Sequence, residues 1–120
     1  MKLSKKLIKQ IEDAGFSLSR DDDDGSYEFG KYSPEGQDFR FTISGDTKEE
    51  FIRNISEYYH GYDASYEAYI WLDTDGHGKN GAPYDMKDVY EDMVACREFI
   101  WELYEIVVGG QSTIKEVANV

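Results

Sequence analysis

The stretch Asp85–Val108, DMKDVYEDMVACREFIWELYEIVV, is the longest segment of the chain with a continuous helical pattern. Apolar side chains recur in it at alternating steps of three and four residues, which places them on one side of a helix. This apolar seam consists of Met86, Val89, Met93, Cys96, Ile100, Leu103 and Val107. A second apolar row consists of Tyr90, Val94, Trp101, Tyr104 and Val108. One sheet face is too narrow for both rows, so the pattern predicts another helix or a partner protein, such as a second copy, against the second row.

Acidic side chains occupy a further side of this helix. They are Asp88, Glu91, Asp92, Glu98, Glu102 and Glu105. A helix rises about 1.5 Å per residue, so successive acids are expected roughly 5 Å apart along the axis. The ordinary explanation is a solvated outer face that keeps the protein soluble. The functional alternative is a surface that binds a cationic macromolecule, with Tyr90, Trp101 and Tyr104 as anchor contacts.

The composition predicts a folded acidic domain. The chain has 120 residues, of which 40% are hydrophobic and 15% aromatic, too apolar for a disordered acidic tail. We expect one α+β domain over residues 1–110 and a C-terminal tail over 111–120. The 25 acids outnumber the 13 lysines and arginines, and the formal net charge is -12. Direct binding to nucleic acid or to an anionic membrane is therefore not expected, because both need clustered basic residues.

The order of elements is predicted from periodicity and turn residues. Helices are expected at 4–14, 47–59 and 85–108, and alternating patterns predict strands at 16–20, 26–32, 38–44 and 64–73. Thr47 begins the second helix with a capping box that includes Glu50. The predicted order is α-β-β-β-α-β-α. It indicates a two-layer α+β fold in which helices pack on a four-stranded, mainly antiparallel sheet.

The predicted glycine-rich loop over 74–84, together with Asp73 before it, is a candidate ligand site. Residues Gly76–Gly81 match G-x-G-x-x-G, but the dinucleotide fingerprint needs a βαβ unit that is not predicted here. Asp73 and Asp75 occupy the first and third positions of a calcium-type loop. The fifth position is His77, and Tyr84 stands where a bidentate glutamate belongs. The loop therefore predicts at most a weak cation site, with a solvated loop as the alternative.

The titratable residues do not indicate catalysis. The single cysteine, Cys96, lies on the apolar seam, where a buried inert thiol is usual. The two histidines, His60 and His77, are on separate elements, which disfavours a zinc site. We therefore expect no enzyme and no cofactor. One cysteine, no apolar signal segment in the first ten residues and no apolar run of membrane-spanning length predict a cytoplasmic protein.

Three segments carry a resemblance to known proteins. They are Tyr32–Ile43 (YSPEGQDFRFTI), the pair Tyr62-Asp63, and Gly81-Ala82-Pro83 before the acidic last helix. Together they resemble small uncharacterised acidic proteins of bacterial phages and mobile elements. In charge and size the chain is also similar to antirestriction and anti-CRISPR proteins, several of which imitate DNA. That second likeness is one of kind, so it assigns no functional residue.

These observations lead to one functional hypothesis and one alternative. The chain is expected to be an acidic inhibitor that binds the basic surface of a bacterial defence nuclease or another nucleic-acid-binding protein, and imitation of DNA is the form of inhibition that the acids suggest. The expected contacts are the helix acids together with Tyr90, Trp101 and Tyr104. The alternative is an interaction module that binds a cation through Asp73 and Asp75 without catalysis. A homodimer is a further possibility for the second apolar row.

Overall fold

The computed structural model describes residues 1–75 and 85–111. Seven elements follow one another in this part of the chain: α1 (Lys5–Asp13), β1 (Ser17–Arg20), β2 (Tyr27–Tyr32), β3 (Asp38–Ile43), α2 (Lys48–Gly61), α3 (Ala64–Asp75) and α4 (Met86–Gln111). The fold is α+β, as expected from the sequence, but the predicted four-stranded sheet and the order α-β-β-β-α-β-α are wrong. The described part contains four helices and one three-stranded antiparallel sheet. Residues 74–84 were predicted as a loop, but Thr74 and Asp75 belong to α3, and 76–84 lie outside the described residues. Of the predicted tail over 111–120, Gln111 belongs to α4 and 112–120 lie outside the described residues.

The error concerns the segment after α2, which was predicted as a strand and forms helix α3. Ala64 and Ala68 are buried and Leu72 is half-buried, so the inward positions recur every four residues. Asp63 begins the helix, because its Oδ1 accepts hydrogen bonds from the backbone N–H groups of Ser65 (3.0 Å) and Tyr66 (3.2 Å). The residues that alternate in the sequence therefore do not share a face: Ala64 and Ala68 point inward, whereas Tyr66 and Ile70 are exposed.

The sheet has the strand order β1-β2-β3, with both pairs antiparallel. In its middle strand Phe29 pairs with Leu18 on one side and Phe41 on the other. Phe29 is fully buried, and its ring centroid lies 5.6 Å from that of Phe41 and 6.3 Å from that of Phe51 on α2. Helix α2 therefore packs its apolar side on the face of the sheet that carries Phe29 and Phe41.

Helix α2 begins as the sequence predicts. Thr47 is the N-cap, and its hydroxyl accepts a hydrogen bond from the N–H of Glu50 at 3.1 Å. The Glu50 carboxylate accepts from the N–H of Asp46 at 2.6 Å, one residue before the position that the capping box assigns. The loop before the helix is tight, since a Cβ on Gly45 would lie 2.7 Å from the backbone nitrogen of Phe51.

Helix α4 buries the predicted seam from Val89 to Val107, whereas Met86 at its start is 42% exposed. The second apolar row is covered in part by α2. The Tyr59 ring centroid lies 5.0 Å from that of Trp101, which stacks on Tyr104 at 4.7 Å. The sequence predicted that either another helix or a partner protein packs against this row. In the structure, helix α2 packs against part of it. None of the described helices combines the length and the apolar character needed to cross a membrane.

The register of α3 can be tested with two matched substitutions. Ala68→Asp is expected to lower the free energy of unfolding by more than about 3 kcal/mol, because it places an unpaired carboxylate in the core. Tyr66→Asp is expected to change it by less than about 0.5 kcal/mol, because Tyr66 is exposed. Urea titrations followed by circular dichroism measure both values. A strand would put the two residues on one face, so similar losses would contradict the helix.

Candidate functional site

The acids predicted to bind a partner differ in their surroundings on α4. Asp88, Glu91, Glu98 and Glu105 are exposed and form no ion pair within the described part of the chain. Asp92 is buried, and Glu102 is half-buried in an ion pair. The predicted stripe therefore consists of four exposed acids, of which Glu98 also accepts a hydrogen bond from the Tyr59 hydroxyl at 3.5 Å, and of two acids that act within the fold.

Asp92 fixes the turn between β2 and β3. The hydroxyl of Ser33 donates to its Oδ2 at 2.6 Å, and the backbone N–H of Glu35 donates to its Oδ1 at 3.1 Å. The Ser33 hydroxyl oxygen also accepts from the N–H of Gln37 at 2.9 Å. With 3% of its surface exposed, Asp92 presents no usable charge to a partner. Its carboxylate accepts hydrogen bonds from polar groups that would otherwise be buried without partners, so its role is structural.

Glu102 pairs with Lys31 of β2 across the interface between α4 and the sheet. The Lys31 Nζ donates to Glu102 Oε1 at 2.7 Å and to the carbonyl oxygen of Ala14 at 2.8 Å. It also lies 4.8 Å from the ring centroids of both Phe16 and Phe99. The ammonium group is thus held by two aromatic rings, a carboxylate and a carbonyl oxygen. Glu102 therefore contributes to the packing of α4 on the sheet.

Three of the four exposed acids form what we call the acidic row: Glu91, Glu98 and Glu105. They are seven residues apart in sequence, so they follow one line along α4 at intervals of about 10.5 Å. Asp88 extends the negative surface toward the β2–β3 turn. There, Asp88 and Glu91 share a cavity of about 210 Å³ with Glu35 and the buried Asp92. Asp88 and Glu91 therefore extend the exposed acidic surface of α4 to the β2–β3 turn.

The predicted aromatic anchors are less exposed than the sequence suggested. Trp101 and Tyr104 are half-buried, whereas Tyr90 is 41% exposed. Arg97 places its guanidinium 4.2 Å from the ring centroid of Tyr59, and its Nε donates to the Tyr59 carbonyl oxygen at 3.3 Å. Of the three predicted anchors, Tyr90 is therefore the one that offers most surface to a partner.

A second candidate site was not predicted from the sequence. It is a cavity of about 340 Å³ between β3, α2 and α3, which we call the aromatic cleft. Its walls carry the rings of Phe39, Tyr58, Tyr62 and Trp71, together with Ile70 and Met93. Its polar residues are Gln37, Asp38, Arg40 and Glu67. The sequence could not indicate this site, because Glu67 and Trp71 line the same cleft only when α3 is a helix.

The two tyrosines of the aromatic cleft have raised pKa values, chiefly because of burial. Burial raises the pKa of the Tyr58 hydroxyl, and the nearby Glu67 carboxylate raises it further. The pKa of Tyr62 is raised well above its usual range, first by burial and then by Cys96 and Glu67. Tyr62 donates its hydroxyl hydrogen to the sulfur of Met93 at 3.4 Å. Both tyrosines therefore stay neutral at physiological pH, with electron-rich rings.

The residues predicted to bind a cation are only partly described. Asp73 is exposed on α3, and Asp75 is the last residue of that helix. The remaining positions of the calcium-type loop lie outside the described residues. Within residues 1–75 and 85–111, no group of three or more histidine, cysteine or acidic side chains is arranged to hold a metal ion.

Cys96 lies in the centre of the seam and is fully buried. Burial, and to a smaller extent the neighbouring Asp92 carboxylate, raises the pKa of its thiol to about 12. Only the thiolate is nucleophilic, so this side chain acts as an apolar core residue at physiological pH. His60 is exposed near the end of α2, away from this thiol. These positions are consistent with the expectation that Cys96 packs and does not react.

Comparisons of the chain with protein-family models, with curated proteins and with solved structures found no match.

Two neighbouring acids on α4 can separate a structural role from a surface role. Asp92→Ala is expected to lower the free energy of unfolding by about 2–4 kcal/mol, because it leaves Ser33 Oγ and the Glu35 N–H without their acceptor. Glu91→Ala is expected to change it by less than about 0.5 kcal/mol, because Glu91 is exposed. Urea titration measures both, and equal values would contradict the role assigned to Asp92.

The environment of Cys96 predicts slow thiol labelling. With a pKa of about 12, roughly one thiol in 10,000 is ionised at pH 8, and the group is also buried. We expect iodoacetamide to leave the native protein unmodified at pH 8 while it labels the urea-unfolded chain within minutes. Mass spectrometry of the two samples measures the difference. Rapid labelling of the native protein would mean that the seam of α4 opens or that Cys96 is not buried.

Proposed function

We propose that this protein is a non-enzymatic inhibitor that uses the exposed acids of α4 to bind a basic surface of a nucleic-acid-binding protein. The observation that carries the proposal is the set of four exposed carboxylates on one helix with no ion pair in the described part of the chain: Asp88, Glu91, Glu98 and Glu105. Such a surface attracts a cationic partner from a distance and accelerates the encounter.

Arg97, one of the two basic residues of α4, supports this proposal, whereas Lys87 is exposed beside Asp88. Helix α4 contains six acids and two basic residues, Lys87 and Arg97. The charge of Arg97 faces the Tyr59 ring and carbonyl group, so it is used within the fold. The helix is also held rigidly by its buried seam. Its carboxylates are therefore already placed before binding, which lowers the entropy that a partner contact must overcome.

The spacing of the acids defines what kind of mimicry is proposed. Duplex DNA carries one charge per about 1.7 Å of axis, whereas the acidic row has one per about 10.5 Å. A residue-by-phosphate copy of a DNA strand therefore does not fit this helix. The proposed resemblance to DNA lies in the negative field over the basic groove of the target, with Tyr90 as an adjacent aromatic contact.

The proposal is tested by removing the acidic row without changing the size of the side chains. We expect the triple variant Glu91→Gln, Glu98→Gln, Glu105→Gln to keep its fold, because all three residues are exposed. Its affinity for a captured DNA-binding protein should fall at least about 10-fold at low salt, with a weaker dependence on salt concentration. Affinity capture from a bacterial lysate supplies the target, and a DNA-binding assay of the purified target measures inhibition.

The matched control removes the same charge from other helices. The variant Glu12→Gln, Glu57→Gln, Asp73→Asn changes three exposed acids on α1, α2 and α3. We expect it to inhibit nearly as well as the unmodified protein. If both triple variants lose the same affinity, net charge alone drives binding and the acidic row is not the site. If neither loses affinity, or if the target still binds DNA in the complex, the proposed function is wrong.

A further inference from the structure

The half-buried Lys31 shows how this protein holds a positively charged side chain. Lys31 Nζ lies between the rings of Phe16 and Phe99 and pairs with the carboxylate of Glu102. The ring faces supply electron density and the carboxylate supplies a full charge, which together replace the water around an ammonium group. Aromatic rings next to a carboxylate therefore form a cation site in this fold.

The aromatic cleft combines the same groups as the Lys31 site, aromatic rings and a carboxylate. No lysine of the described chain occupies it. Four rings line it, from Phe39, Tyr58, Tyr62 and Trp71. Glu67 supplies a carboxylate that forms no ion pair within the described residues. Burial is the main cause of the raised pKa of Tyr58 and of Tyr62, and the Glu67 carboxylate is a smaller cause for both, which is consistent with its position in the same cleft. A cation entering the cleft would meet both features at once.

Arg40 also lines the cleft, but its charge is compensated. Its Nε donates to Asp38 at 3.2 Å, and its Nη1 lies 3.5 Å from a carboxylate oxygen of Glu28. These carboxylates raise the pKa of Arg40, since they favour its charged form. Among the charged lining residues, two are acidic and one is basic. The cleft is therefore negative overall, which disfavours an anionic ligand.

We propose that the aromatic cleft binds a lysine or arginine side chain of a basic protein partner, with Glu67 as its counter-ion and Tyr58 and Trp71 as its aromatic walls. The volume of about 340 Å³ is at the small end of ligand pockets, which suits one long side chain. This inference rests on the proposed function, because it names the kind of side chain that the same partner presents. It assigns that side chain to a site other than the acidic row.

The test uses four blocked tripeptides, acetyl-Gly-X-Gly-amide, in which X is lysine, arginine, norleucine or glutamate. Each is titrated into the isotopically labelled full chain up to millimolar concentration, and amide and indole chemical shifts are followed by NMR. We expect the lysine and arginine peptides to shift the signals of Tyr58, Glu67 and Trp71. The norleucine peptide has a similar length without charge, and it should bind at least about 10-fold more weakly.

Conservative variants locate the interaction. Glu67→Gln should weaken binding of the lysine peptide about 10-fold. Glu57→Gln changes an exposed acid on α2 outside the cleft, and it should leave this affinity unchanged. Tyr58→Leu should also weaken it, and Tyr66→Leu, an exposed tyrosine outside the cleft, is its control. Dispersed NMR spectra establish that each variant is folded. If Tyr58→Leu does not fold, the two Gln variants still test the role of Glu67.

Three results would overturn the inference: equal binding of the norleucine and lysine peptides, preference for the glutamate peptide, or no shift of the cleft signals with any peptide. The triple variant of the acidic row should bind the lysine peptide normally. If the peptide fails to bind while capture of the target still depends on the acidic row, this inference fails and the proposed function stands. If the peptide binds but no target is inhibited, the proposed function fails and the cleft remains a cation site.

Discussion

The rest of the structure depends on the burial of one side of α4. Cys96, Ile100, Leu103 and Val107 are fully buried, and each such aliphatic side chain contributes about 1.5–3 kcal/mol when it leaves water. Helices α1, α2 and α3 all pack against this one helix, and Phe99 reaches the sheet at Phe39 with 6.4 Å between ring centroids. Because the seam fixes the rotation of α4 about its axis, it also determines which acids face water.

Much of this arrangement could be predicted from periodicity. The first three strands, helices α1 and α2 and the long helix α4 all have regular patterns, and the structure contains each of them. Helix α3 could not be predicted in this way, because Tyr66, Tyr69 and Ile70 are exposed apolar residues on its outer side. They remove the contrast between an apolar and a polar face on which a helical pattern depends. The N-cap at Asp63 was the local feature that could have corrected this prediction.

For single acids of α4, too, the sequence pattern predicted only part of what the structure contains. Asp92 follows Val89 by three residues and precedes Cys96 by four, the steps that define the seam. The sequence therefore contained a reason to place Asp92 toward the core. The pairing of Glu102 with Lys31 could not be found in this way, since the two residues are 71 positions apart and meet only in the folded chain. Charge patterns identify an acidic side of a helix, but burial and pairing decide which carboxylates remain available.

The basic residues explain why the available charge is negative. Lys31 neutralises one acid of α4, Glu102. Arg40 is held by carboxylates and Arg97 by a ring and a carbonyl group, so none of the three offsets the exposed acids of α4. Repulsion among those acids opposes the compact state, and a basic partner would relieve it. Dissolved salt screens this repulsion and also screens the attraction to a partner. In the proposed complex, salt therefore stabilises the free protein and weakens association, so the charge that is unfavourable for folding is the charge that favours binding.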